Sequence, residues 1–174
     1  MNDESQNFDD ALLDALNAFN RDDYETAYKL FLPLAEQGDM FAQHFLALLH
    51  LEEGVNQDYK EAVKLFLLSA EQGNMLAQYG LGYMYYEGQG VPQDYEEAEK
   101  WYRLASEKEY ASAQFNLGGM YELGQGVPQD YKEAFKWYRL SAEQGHTKAQ
   151  CNLGTMYNRG HGVSQDHKEA EKWY

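Results

Sequence analysis

The stretch GQGVPQDYEEAEKWY, residues 88–102, decides the fold because it recurs along the chain. It returns as GQGVPQDYKEAFKWY at residues 124–138 and as GHGVSQDHKEAEKWY at residues 160–174. Two weaker copies precede it: one has a loop one residue shorter, at residues 54–58, and an earlier one opens at Asp23 without a Gly-rich insertion. This regular period indicates about five stacked supersecondary units, of which the first and last are incomplete.

Each unit is predicted to contain two helices. In the first helix, Ala77, Leu81 and Tyr85 follow the i, i+4, i+8 spacing of a buried stripe. The stretch with Gly and Pro then interrupts the helix. The second helix is predicted to begin at Asp94, whose side chain caps free backbone N–H groups, with Glu97 in the capping-box position. The same pairing recurs at Asp58/Glu61, Asp130/Glu133 and Asp166/Glu169.

Glycine is predicted to end the second helix in two of these units. Gly73 and Gly145 occupy the stop position, where a left-handed backbone conformation is favoured. The unit between them has Lys108-Glu109-Tyr110 instead, so the end of its second helix is left open by the sequence.

The repeated pattern A-Q-x-x-L-G-x-x-Y-x-x-G-x-G-V-x-x-D-x-x-x-A-x-x-W-Y resembles the Sel-one-like repeat family, a relative of the tetratricopeptide repeat. The resemblance implies an all-α fold, a right-handed superhelical α-solenoid of antiparallel helix pairs with a concave and a convex side. The organisation it implies is a single solenoid over residues 1–174, which comprises a disordered tail (1–7), a tetratricopeptide-like pair (8–39), three repeats (40–75, 76–111 and 112–147) and a truncated repeat (148–174).

Charge and composition exclude several classes of function. The 174 residues include 14 basic and 29 acidic side chains, a formal charge of −15, which repels phosphates and anionic lipids. We therefore expect no nucleic-acid partner. We also expect no membrane insertion, since no run approaches the roughly 18 apolar residues that a membrane span needs. Cys151 is the only cysteine, so neither an internal disulfide nor a two-cysteine metal site can form. Since no signal peptide is visible, we expect a cytoplasmic protein, or a periplasmic one if a leader has been removed.

Two features resemble ligand-binding motifs, and each has a plainer interpretation. His161 and His167 flank a Gly-rich loop beside Asp166, as metal ligands can, but the sister repeats carry Gln and Tyr there, which favours sequence drift. The Gly-rich loop follows a helix and lacks the Lys-Ser/Thr of a P-loop, which favours a connector. Neither a Ser/His/Asp set nor HExxH is present. The sequence therefore predicts no catalytic residue, no metal site and no cofactor.

The positions beside the core stripe of the first helices differ between repeats, as those of a recognition surface do. In arrays of the tetratricopeptide type these helices line the concave groove. Exposed Tyr is a common anchor for polypeptides, whereas packing against the neighbouring first helix is the alternative interpretation of the tyrosines. The groove residues predicted to bind a partner are His44, Leu48, Leu51, Tyr79, Tyr83, Tyr86, Phe115, Glu122 and Asn158.

The predicted function is a non-enzymatic scaffold or adaptor that binds a protein or peptide on the concave groove. The charge of −15 favours a basic partner. The resemblance implies bacterial roles in signalling, assembly or toxin immunity. The alternative is a hydrolase directed at cell walls or antibiotics, as suggested for cysteine-rich relatives, although this chain lacks their cysteine pairs.

The last unit stops within its second helix, at Trp173-Tyr174. Natural arrays end in a polar capping element, which is missing from this sequence. We therefore expect either a fragment of a longer chain, or a last half-repeat that is covered by a partner or by self-association of two copies.

Overall fold

The computed structural model describes residues 3–52 and 57–174, with side chains from residue 10 onward. These residues form ten helices and no strand, which confirms the predicted all-α class. The loop predicted at 54–58 lies mostly outside the described residues. The helices are α1 (Asp3–Phe19), α2 (Tyr24–Glu36), α3 (Met40–Leu49), α4 (Tyr59–Glu71), α5 (Met75–Glu87), α6 (Tyr95–Glu107), α7 (Ala111–Leu123), α8 (Tyr131–Glu143), α9 (Thr147–Arg159) and α10 (His167–Trp173).

The helices divide between two compact units. Unit 1 contains residues up to 84 together with 89–92, and unit 2 contains residues 85–88 and 93–174. The sequence predicts one continuous array. The division has a physical basis, because in a repeat protein each helix pair contacts only its neighbours and no single core collects every apolar side chain.

Within each unit, aromatic side chains fill the space between small residues. In unit 1, the Phe31 and Phe45 rings stack with centroids 5.3 Å apart, and Phe66 is fully buried. In unit 2, Gly118 leaves room for Tyr138, since a Cβ at Gly118 would lie 2.7 Å from that ring. Burial of such side chains is the main source of stability, at about 1.5–3 kcal/mol for each large apolar group.

The glutamine of each Ala-Gln pair links a first helix to the helix before it. Its side-chain amide donates to a carbonyl eight residues upstream, in the last turn of the preceding second helix, where backbone acceptors have no helical partner. The bonds are 3.2–3.3 Å long and join Gln43 to Ala35, Gln78 to Ala70, Gln114 to Ser106, and Gln150 to Ala142.

The predicted aspartate caps are present, but the capping box is only half formed. The Asp94 carboxylate accepts from the backbone N–H groups of Glu96 and Glu97, both at 3.0 Å. The Asp94 N–H does not receive the Glu97 side chain; it donates to the Tyr85 carbonyl at 2.9 Å. Glu97 instead pairs with Lys100 at 2.5 Å. A carbonyl of the first helix, α5, thus satisfies the backbone donor that the glutamate was expected to bind.

The second glycine of each loop lies against the preceding repeat. Gly126 has a φ of +70°, and a Cβ there would overlap the carbonyl oxygen of Tyr95 at the start of α6. Gly162 meets Tyr131 and Gly90 meets Tyr59 in the same way. Only glycine permits this approach, so the loop is a packing element as well as a connector.

Two chain segments differ from their sequence-based expectations. Helix α1 begins at Asp3, so residues 3–7 form helical turns where a disordered tail was expected. At the open helix end, Glu109 adopts a φ of +62°, the left-handed conformation that Gly73 and Gly145 supply in the sister repeats.

Among the described residues, no helix is both long enough and apolar enough to cross a bilayer.

Candidate functional face on the first helices

Helices α3, α5, α7 and α9 are the first helices of their repeats, and twelve equivalent positions vary in sequence: eleven lie on these helices, and Leu51 lies in the turn that follows α3. We call these positions the first-helix face. In chain order and in threes they are His44, Leu48 and Leu51, then Tyr79, Tyr83 and Tyr86, then Phe115, Gly119 and Glu122, then Cys151, Thr155 and Asn158.

In unit 1 the first-helix face is apolar and aromatic. Leu48, Leu51 and Tyr79 are half-buried, and Tyr83 exposes 39 % of its surface. Tyr83 is therefore the aromatic of this unit's face that is best placed to meet a partner, because the ring is accessible and anchored on a regular helix.

His44 was predicted to bind a partner, but the structure places it in the core. Only 6 % of its surface is exposed, and its ring packs between Phe45 and Phe66 with centroids 5.2 and 5.7 Å away. Burial lowers the pKa of His44 to about 4, and its Nδ1 atom has no hydrogen-bond partner. Because the neutral ring belongs to the core, His44 does not present its side chain to a partner.

In unit 2 the predicted residues hydrogen-bond to the adjoining loop or helix. The Tyr86 hydroxyl donates to Gln125 Oε1 at 2.8 Å, while its ring lies 5.1 Å from that of Tyr95. Asn158 is exposed, and its Oδ1 lies 2.7 Å from Nδ1 of His167. Both the ring and the hydroxyl of Tyr86 therefore have partners within the unit. For this residue the structure favours the alternative interpretation of the tyrosines, that they pack within the protein.

Phe115, Gly119 and Glu122 share one face of α7 and meet above Tyr138. The Phe115 ring lies 5.6 Å from that of Tyr138. The Tyr138 hydroxyl donates to Glu122 Oε2 at 2.7 Å and would lie 3.5 Å from a Cβ at Gly119. Sequence reasoning did not identify Tyr138, because the residue is buried and only the packing of α8 against α7 brings its hydroxyl to Glu122.

Burial raises the pKa of Tyr138, and the hydrogen bond to Glu122 raises it further. The hydroxyl is therefore protonated at neutral pH and acts as the donor, while Glu122 acts as the acceptor. The carboxylate of Glu122 is consequently held in one orientation on a half-buried surface.

The residues once considered as metal ligands have other neighbours. The ring of His161 lies 4.8 Å from that of Tyr131, and His167 contacts Asn158 as described above. Over residues 10–52 and 57–174, whose side chains the structure describes, no three His, Cys, Asp or Glu side chains are grouped as metal ligands would be. Cys151 is an exposed free thiol.

Charged side chains are distributed unevenly between first and second helices. The sequences of α1, α3, α5 and α7 contain no Lys or Arg. In the part of the chain that the structure describes, the ion pairs lie within the second helices α2, α4, α6, α8 and α10. The basic side chains that form ion pairs therefore lie on the second helices, and Glu122, the one carboxylate of α7, has no cation on its own helix.

Comparison with known families accounts for the period of the sequence. The Sel1 repeat model matches residues 20–39, 41–74, 76–110, 111–146 and 147–174. The chain belongs to the Sel1 repeat family. Sel1 repeats are generally protein-interaction modules, and no curated protein matches this chain in sequence.

Solved structures support the assignment. A protective antigen of uropathogenic Escherichia coli, which displays an SLR fold, is 40 % identical with a TM-score of 0.82 over 84 % of this chain. A Sel1 repeat protein from Oxalobacter formigenes is 34 % identical with a TM-score of 0.88 over 95 % of this chain. The chain spans 32 % of the first protein's length and 66 % of the second's. These likenesses confirm the predicted α-solenoid class.

A third structure shows the fold alone. An immunity protein from Pseudomonas aeruginosa is 22 % identical with a TM-score of 0.50, and the match covers 87 % of this chain and 72 % of that protein.

Proposed function

We propose that this Sel1 repeat protein is a non-enzymatic scaffold that binds a polypeptide through the first-helix face. The observation that carries the proposal is the contrast between repeated and variable positions. Loop and core residues recur with the 36-residue period, whereas the first-helix face reads His-Leu-Leu, Tyr-Tyr-Tyr, Phe-Gly-Glu and Cys-Thr-Asn. Positions that are free of a packing requirement can differ between repeats, and their side chains can therefore determine which partner is bound.

Tyr83 is the proposed principal anchor in unit 1. Its ring is exposed, and alanine scans of interfaces find Tyr among the residues whose truncation costs most. The first-helix face of unit 1 also offers half-buried apolar surface, which is supplied by Leu48, Leu51 and Tyr79. Surface of this kind excludes water around an anchor.

The chemistry of the first-helix face favours binding over catalysis. In unit 2 three of its polar residues bond to side chains outside the face: Tyr86 to Gln125, Glu122 to Tyr138, and Asn158 to His167. None of these pairs joins a Ser, Thr or Cys nucleophile to a histidine base, which is the arrangement that a hydrolase of the Ser-His type requires. Adaptor, assembly and toxin-immunity roles all need only binding, and we propose them as a class.

The test begins by trapping the partner. A photoreactive phenylalanine analogue at position 83 is expected to cross-link a polypeptide in cells of the source organism, whereas the same residue at position 100, on a second helix, is not. The affinity of the identified partner is then measured for the native protein, Tyr83→Ala and the control Lys100→Ala.

Tyr83→Ala is expected to weaken binding by about 30-fold, which corresponds to about 2 kcal/mol. Lys100→Ala is expected to leave the affinity unchanged, because Lys100 forms only an exposed ion pair with Glu97. Equal affinities for all three proteins, with their helical content intact, would place the binding surface elsewhere.

A further inference from the structure

Unit 2 contains a notch on α7 that the packing of this unit leaves unfilled. In the register of the first-helix face, Gly119 occupies the position held by Leu48, Tyr83 and Thr155 in the sister repeats. It is helical, and a Cβ there would meet only the Tyr138 hydroxyl within 4 Å. A side chain is therefore absent at a place where the fold has room for one.

The two ends of the notch differ in chemistry. Phe115, four residues before Gly119, supplies a half-buried ring that also stacks on His146 at 4.8 Å. Glu122, three residues after Gly119, supplies the carboxylate that Tyr138 orients. Residues at this spacing are neighbours on one helix face, so an apolar wall and an anion lie on either side of one gap.

The carboxylate of Glu122 has binding capacity to spare. An ionised carboxylate accepts about four hydrogen bonds, and Tyr138 supplies one of them, to Oε2. None of the ion pairs found over residues 10–52 and 57–174 includes Glu122. A half-buried anion without a cation is costly in isolation and gains from a charged donor.

The groups around the notch do not supply that cation. His146 stacks on Phe115, and its Nδ1 accepts a hydrogen bond from the Ala149 N–H at 3.2 Å. Burial and then the charge of Lys148 lower the pKa of His146, so the ring is neutral at pH 7. Tyr138 is a neutral donor, and α7 itself contains no Lys or Arg.

We propose that the notch of Phe115, Gly119 and Glu122 binds a basic side chain of the polypeptide partner, Arg in preference to Lys. The guanidinium plane lies over Gly119 with one face toward Phe115 and donates to Glu122. Arg is preferred because it combines several directed N–H donors with a flat surface that packs on an aromatic ring. This inference rests on the proposed polypeptide-binding function and names the partner's chemistry at one position.

The probe is the blocked tripeptide acetyl-Ala-Arg-Ala-amide, with the citrulline and lysine peptides as matched comparisons. Citrulline keeps the planar shape of Arg and removes its charge. Binding is followed by backbone amide shifts in a nitrogen-15 NMR titration. With the Arg peptide, the largest shifts are expected at residues 115–122, and the citrulline peptide is expected to bind about tenfold more weakly.

Two substitutions test the site itself. Glu122→Gln retains an oxygen acceptor for Tyr138 and is expected to lower the affinity for the Arg peptide by about tenfold. Glu107→Gln changes the net charge equally at an exposed position at the end of α6 and is expected to have no effect. Gly119→Leu fills the notch and is expected to abolish the localised shifts, with thermal unfolding used to confirm that the variant is folded.

Several outcomes would overturn the inference. They are shifts spread evenly over the acidic surface, equal binding of the Arg and citrulline peptides, or equal binding by Glu122→Gln and Glu107→Gln. Partner affinity separates this inference from the broader proposal. If Tyr83→Ala lowers the affinity for the partner while Glu122→Gln does not, the inference about the notch is wrong and the scaffold function stands. If neither variant weakens it, both fail.

Discussion

Gly119 and Gly126 lie seven residues apart in one repeat, and the structure uses them in opposite ways. Gly126 has a φ of +70°, and a Cβ there would overlap the backbone of Tyr95 in the preceding repeat. Gly119 is helical with open space beside it. Gly126 recurs as Gly90 and Gly162 in the sister repeats, whereas Gly119 is replaced there by Tyr83 and Thr155. Repetition in this sequence therefore follows close backbone contact, and variation follows free space.

The sharpest test of this comparison applies the same substitution to both glycines. Gly126→Ala is expected to destabilise the protein by about 3 kcal/mol, because it combines a left-handed residue with an overlap against backbone that cannot move aside. Gly119→Ala is expected to stabilise it by up to about 1 kcal/mol, because alanine is the better helix former. Urea unfolding of the two variants measures both. Similar losses at the two positions would contradict the comparison.

His44 is an exception to the rule that variation follows free space, because it occupies a variable position yet is buried. Burial holds the pKa of His44 at about 4 in the folded protein, against an ordinary value of 6.5. A lowered histidine pKa means that the unfolded chain binds the proton more tightly. Stability is therefore complete above pH 6.5 and is lost as pH falls from 6.5 toward 4. We expect a loss of about 2 kcal/mol between pH 7.5 and pH 5 from this residue.

The variant His44→Phe isolates this contribution. Phe115 occupies the same register in a sister repeat, so the replacement suits a first helix. It removes the titrating group and the unpartnered Nδ1, and urea midpoints of the variant are expected to change less between the two pH values. A parallel decline in both proteins would show that other groups titrate in this window and that His44 does not control it.

The N-terminal caps of the second helices belong to the repeated class and should be individually sensitive. Asp130→Ala is expected to cost about 1 kcal/mol, because the N–H groups of Lys132 and Glu133 lose their acceptor. Asp130→Asn keeps an oxygen acceptor and is expected to lose less. Thermal unfolding compares the two variants; an unchanged melting temperature for Asp130→Ala would mean that the loop supplies the cap in another way.

Glu109 is the one repeated helix-stop position, in the part of the chain that the structure describes, where the expected glycine is missing. Its φ of +62° is strained for a residue with a side chain. Glu109→Gly is therefore expected to stabilise the protein by about 0.5–1 kcal/mol. The matched control, Gly145→Ala, is expected to destabilise it, since Gly145 has a φ of +86°. Loss of stability in Glu109→Gly would show that contacts of the glutamate outweigh its backbone strain.

Local features of the fold were predictable from sequence because their causes lie within a few residues. Asp94 and Asp130 cap the helices that begin immediately after them, as the sequence indicates. The reciprocal half of the capping box was not predictable, since the Asp94 N–H binds Tyr85 across the whole Gly-rich loop. The same limit applies to the first-helix face, where register identified Glu122 but could not reveal that Tyr138 of the next helix orients it.

The sequence by itself determined the helix pairs, their order, their period and the family, because a repeated pattern of small, apolar and turn-forming residues specifies one supersecondary unit each time it occurs. Only the tertiary structure decided which variable positions are open. His44 is enclosed by two phenylalanines, Tyr86 is tied to Gln125, and Tyr83 is accessible. Exposure depends on what the neighbouring helices bring to each position, and that information is spread over residues far apart in the chain.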